Sequence, residues 1–92
     1  MTIESRFRSF HAENPHIVAD LERLAGEWFE SGKGVVGIGF LCEVLRWDRS
    51  VKTQSRDEFK INNNFRAHYA RMMIDRNPEW DGRIRVRALR TA

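Results

Sequence analysis

The stretch INNNFRAHYARMM, Ile61–Met73, decides how this chain is read. Asparagine favours helix N-caps over helix interiors, because its side-chain oxygen accepts from the unpaired N–H groups of a first turn. Three in succession exceed what one cap needs, and the surplus amides are free to face a partner. Phe65, Tyr69, Met72 and Met73 then recur at helical spacing. They predict the buried stripe of a helix running from Asn62 to about Arg76, with Arg66, Ala67, Ala70 and Arg71 toward solvent. Pro78 ends this helix by disfavouring helical backbone at Asn77.

Upstream, Asn14-Pro15 reads as a helix start, with asparagine as cap and proline in the first turn. Ile17, Leu21, Leu24 and Trp28 follow at helical spacing, widened by Val18, Ala25 and Phe29. Asp20, Glu22, Glu27 and Glu30 occupy the opposite side, and Gly32 suits the left-handed residue that closes a helix. Residues 1–13 are expected to form an arm or short helix that folds Phe7 and Phe10 onto the core. A second helix is expected over Val36–Trp47, burying Phe40, Leu41, Val44 and Leu45. Gly37 and Gly39 either allow a close helix–helix approach or delay the start of this helix. Trp47 is read as core, with stacking on a base or guanidinium as the alternative.

Between these helices and the asparagines, Ser50–Ile61 alternates apolar and polar residues and fits two short extended pieces, as a loose hairpin. After the Asp81-Gly82 turn, RIRVRALR (Arg83–Arg90) alternates with period two. Ile84, Val86 and Ala88 would face the core, and Arg83, Arg85 and Arg87 the other side. Such a strand needs a partner, taken as the 51–54 or 59–61 segment or another subunit. The expected fold is one domain over residues 1–92 with its core in 14–90. It is mainly α with a small β element: a three-helix core plus a C-terminal strand or hairpin, winged-helix-like.

The chain has 92 residues, 41% hydrophobic and 32% charged, the balance of a folded globular domain. No apolar run approaches the ~20 residues that span a bilayer. MTIESRFRSF lacks the apolar centre of a signal peptide, so the chain is expected to stay in the compartment where it is made. The net charge of +3 hides a gradient. Residues 1–46 hold five basic against seven acidic residues, a net of −2, whereas residues 47–92 hold eleven against six, a net of +5. Most of these cations are arginines, which suit bidentate contacts with phosphate or carboxylate.

Catalytic and metal-binding patterns are missing. His11, His16 and His68 have neither metal-ligand spacing nor cysteine companions, and Cys42, the single cysteine, reads as a small buried hydrophobe. GKGVVGIG lacks the terminal Lys-Ser/Thr of a phosphate-binding loop, and the serines lack a nucleophile-elbow context. The reading is therefore non-enzymatic, with no cofactor. Asparagine and arginine opening a helix suit a major groove, where they pair with adenine and guanine. The expectation is a binder of double-stranded DNA. Asn63, Asn64, Arg66 and Arg71 would face the groove, and Arg83, Arg85 and Arg87 the phosphates. About five neutralised phosphates would give a log–log salt slope of roughly −4 to −5. The alternative is a module docking on an acidic host-protein surface, and the C-terminal strand offers a route to a homodimer.

FHAENPHIV (Phe10–Val18), GIGFLCEVLRW (Gly37–Trp47), INNNFRAHYAR (Ile61–Arg71) and RALR (Arg87–Arg90) together resemble a family of small proteins of tailed bacteriophages and prophages. The resemblance spans nearly the whole chain, and EVLRW and NNNF-x-A-x-YAR are its most distinctive stretches. It implies a bacterial cytoplasm and a role as gene regulator or as an agent acting on host proteins. It carries over no catalytic residues.

Overall fold

A computed structural model describes residues 2–52 and 61–86 of the chain. Helices dominate it: α1 (Ile3–Glu13), α2 (His16–Glu30), α3 (Ile38–Lys52) and α4 (Arg66–Arg76). The β element is a pair of two-residue strands, β1 (Val36–Gly37) and β2 (Ile84–Arg85). The fold is mainly α with a small β element, as the sequence implies.

Boundaries differ in ways that trace to single side chains. Asn14 closes α1 instead of capping α2, its side-chain amide donating to the Phe10 carbonyl at 3.0 Å. The helix after Pro15 therefore starts at His16 without a side-chain cap. Asn62 does cap its helix, accepting from the Asn64 N–H at 2.9 Å, but the first turn that follows, Asn63–Phe65, is 3-10. Gly32 has φ +87°, the left-handed conformation expected after α2.

The core forms where α2, α3 and α4 meet. Ile17, Val18, Leu21 and Ala25 from α2 pack with Ile38, Leu41, Cys42 and Leu45 from α3 and with Tyr69, Ala70 and Met73 from α4. Phe7 of α1 seals one end, its ring 4.8 Å from Tyr69 and 5.7 Å from Phe65. Ala70 is fully buried, against expectation, because α4 is covered on two sides at once.

On α3 the larger side chains are outside. The spacing Ile38, Leu41, Cys42, Leu45 defines its inner face. Trp47 lies two residues past Leu45, about 200° further round the helix. It is 67% exposed, and Phe40 is 54% exposed, so neither is the core residue its size suggested.

The strand after Asp81-Gly82 finds a partner inside the chain, in a segment the sequence reading did not name. β2 pairs in parallel with β1, Val36 opposite Ile84 and Gly37 opposite Arg85, and the Val36 N–H donates to the Arg83 carbonyl at 2.9 Å. Ile84 is buried as read, whereas Val86 is 40% exposed and lies past the ladder. Val51 and Lys52 complete α3, so the expected hairpin cannot begin there. Residues 53–60 of it, and Arg87–Arg90, lie outside the described residues, while Ile61 is buried.

Packing makes a direct contrast available. Leu45→Ala removes a fully buried side chain and should cost about 2–5 kcal/mol in denaturant unfolding. Trp47→Ala, at low micromolar concentration, should change stability by no more than about 0.5 kcal/mol.

Candidate nucleic-acid interface

The seven residues expected to contact nucleic acid divide into three groups, with Arg87 outside the described residues. The first group faces α3. The Arg66 guanidinium donates to Glu43 at 2.8 Å, and its side chain is only 26% exposed. It crosses α3 at Gly39, where an added Cβ would sit 2.9 Å from Nη1. Gly39 thus allows a close approach, but by a guanidinium rather than by a helix backbone. Asn63 borders the same shallow depression, with Cys42, Glu43, Arg46 and Ile61. Arg66 is therefore a clamp between α4 and α3, not the open groove contact that its position suggested.

The second group is on the outer side of α4. Five residues separate Arg71 from Arg66, which turns it about 140° away. Asn64, His68 and Arg71 follow at spacings of four and three, with Ala67 beside them, and so share one side of the helix. Asn64 and Arg71 are exposed, and His68 is half-buried with its ring stacked 5.1 Å from Phe7. Arg71 Nη2 lies 3.4 Å from His68 Nδ1, and no described carboxylate pairs with it.

The third group is at the ladder. Arg83 is half-buried with its guanidinium 4.0 Å from the Phe29 ring centroid, a cation–π contact at the end of α2. Arg85 is exposed and has no ion pair among the described residues.

Folding sets part of the charge gradient of the sequence against itself. Acidic residues of the first half meet cations of the second. Asp20 pairs with Arg49, Glu22 with Arg76 at 3.0 Å, and Glu43 with Arg66. Glu22 also accepts from the Asn77 side chain at 2.6 Å. Linear charge counting could not anticipate this, because the pairs join residues up to 54 positions apart.

One surface was missed altogether. Phe40, Val44, Trp47 and Val51 form a second apolar stripe along α3, away from its inner face, with Phe40 and Val44 bordering Trp28 of α2. Its signal was legible as spacings of four, three and four, superposed on the inner stripe. A helix apolar on two sides was read as having one wide side.

Comparison with known proteins gives no match: no family model fits the chain, and no curated protein or solved structure matches it. Among the described residues no three His, Cys, Asp or Glu side chains group to hold a metal ion, and no helix is long and apolar enough to cross a membrane.

Two buried acids give the centre a pH dependence. Burial pushes the Cys42 thiol from 9.0 up to about 11, with the Arg66 charge opposing the rise. Burial, reinforced by the nearby thiol, pushes the Tyr69 phenol from 10.0 up to about 12. The folded chain holds both protons more tightly than the unfolded chain. The resulting stability is complete below pH 9 and is lost as pH climbs through 11 for the thiol and from 10 through 12 for the phenol. Thermal unfolding should therefore weaken from about pH 9 upward, and Cys42→Ala should delay the onset to about pH 10.

Proposed function

We propose that this is a non-enzymatic DNA-binding protein that uses the outer side of α4. The observation that carries the reading is that Ala67 and Arg71 of α4 share a side with Asn64 of the turn before it, and that Arg71 has no carboxylate partner among the described residues. These are groove-reading side chains: asparagine pairs with adenine, arginine with guanine, and a small apolar residue packs on a thymine methyl. Asp75 lies further along α4, so the N-terminal half of the helix is the part suited to approach a polyanion. Arg85 supplies a phosphate contact, whereas Arg66 and Arg83 are withdrawn from that role by Glu43 and Phe29. A phage-type regulator working in the bacterial cytoplasm, as the EVLRW and NNNF stretches suggest, accords with this reading.

Of the expected contacts among the described residues, Arg71 and Arg85 remain without an ion pair, and these two should give a log–log salt slope of about −2 per monomer. Fluorescence anisotropy with a mixed-sequence duplex at low salt measures both slope and affinity. Arg71→Ala should weaken binding about tenfold, the scale of one lost charge-assisted contact. Arg66→Ala should change affinity far less, because Glu43 already holds that guanidinium. No duplex binding at low salt ends this reading.

A second reading has its own observation. The exposed Phe40, Trp47 and Val51 favour a protein-interaction module, with its interface on α3 instead of on the arginine-bearing strand. Exposed apolar area of this kind adds nothing to phosphate recognition.

A further inference from the structure

The outer stripe of α3 calls for an occupant, and its pattern is specific. Phe40, Val44, Trp47 and Val51 step by four, three and four, the spacing of a helix that pairs with another helix along a seam. The sizes alternate as large, small, large, small. Laid antiparallel on a copy of itself about a two-fold axis between positions 45 and 46, the stripe matches large to small in every layer. Phe40 meets Val51, Val44 meets Trp47, and the same layers repeat in reverse. A parallel pairing would instead place Trp47 on Trp47 and Phe40 on Phe40.

We propose that two copies of this chain associate through an antiparallel α3–α3 seam of Phe40, Val44, Trp47 and Val51. The contact is isologous, with each copy presenting the same self-complementary surface. It does not rest on DNA binding, and it puts self-association on α3 rather than on the C-terminal strand.

The surroundings fit a neutral partner surface. Glu43 on one flank accepts from Arg66 and lies 3.4 Å from Arg46, and Asp48 on the other holds Lys52 at 3.1 Å. On the α2 side, Arg23 and Glu27 pair at 3.5 Å. These flanking charges are met within each chain, and Lys33, 5.4 Å over the Trp28 ring, is the cation at that edge that pairs with no carboxylate among the described residues. Trp28 stiffens the edge: its ring stands edge-on to Phe40 at 5.7 Å, and its indole N–H donates to the Gly34 carbonyl at 2.8 Å.

Area sets the strength. The exposed fractions are 54% for Phe40, 67% for Trp47 and 60% for Val51. With aromatic side chains of about 150–250 Å² each, the seam offers roughly 350–450 Å² per copy. The total, about 700–900 Å², falls below the ~1,200 Å² of a standard stable interface. An interface of that size is a weak one, exchanging with monomer.

Sedimentation equilibrium of the full chain from about 5 to 500 μM tests this. The expected result is a reversible monomer–dimer equilibrium that Trp47→Asp abolishes, with helical circular dichroism unchanged. The register has its own test. Val44→Trp alone sets two tryptophans in one layer, and Trp47→Val alone leaves two valines, so each should weaken association about tenfold or more. Combining them restores a large-to-small layer and should recover association to within about threefold of the natural chain. A strict monomer throughout the range overturns the proposal, even if the stripe retains an unrelated protein. So does a dimer indifferent to Trp47→Asp, or one that the double variant fails to rescue.

Discussion

Burial of α4 from two directions is the constraint on which the rest of the molecule depends. Tyr69, Ala70 and Met73 are all at 0% exposure, and Phe65 joins them at 5%. Three fully buried positions within five residues leave only a narrow strip of the helix to water. That strip is where Asn64, Ala67, His68 and Arg71 are found. Burial also explains why the small Ala70 is inside. Where helices approach from two sides, a methyl group fits and a longer side chain does not.

Electrostatics follows from the same packing. Bringing α2 and α3 against α4 carries Glu22 and Glu43 to Arg76 and Arg66, and packing α2 on α3 carries Asp20 to Arg49. Each pair is partly exposed, so each contributes at most about 1 kcal/mol to stability. Their larger effect is subtractive. Cations that made the second half of the chain look like a polyanion-binding surface are spent on fixing helices to one another. Among the described residues of that half, Arg71 and Arg85 remain for an outside partner, beside a set of asparagines and an apolar stripe.

Legibility in the sequence tracked the periodicity of each segment. The inner faces of α2 and α4 were readable because Ile17, Leu21, Tyr69 and Met73 repeat at one helical spacing. The asparagine cap and the left-handed Gly32 were readable because each residue type has one dominant local use. On α3 two apolar stripes overlap, and size pointed the wrong way: Leu45 is buried while Trp47 is not. Side-chain volume says how much a residue gains by burial, not on which side of a helix it stands. The strand partner was misjudged for a different reason. β1 is two residues long and includes a glycine, too short to carry an alternating pattern. The candidate site was legible as a location, the start of α4, but its membership was not. Glu43 lies 23 positions from the arginine it engages, and no spacing rule reaches that far.

The β1–β2 ladder has a consequence for how the molecule opens. Its register, Val36 with Ile84, encloses both α3 and α4 in one loop of chain closed by backbone hydrogen bonds. Closing a loop of that length is entropically unfavourable, and a two-residue ladder returns few hydrogen bonds against the cost. The helices pack on one another directly, and the ladder is a latch across them. In the native ensemble the latch is then the first part to let go, so amide protons such as that of Val36 should exchange with solvent while those of the α4 interior stay protected. Each such opening uncovers the buried side of Ile84 without unfolding the helices beneath it.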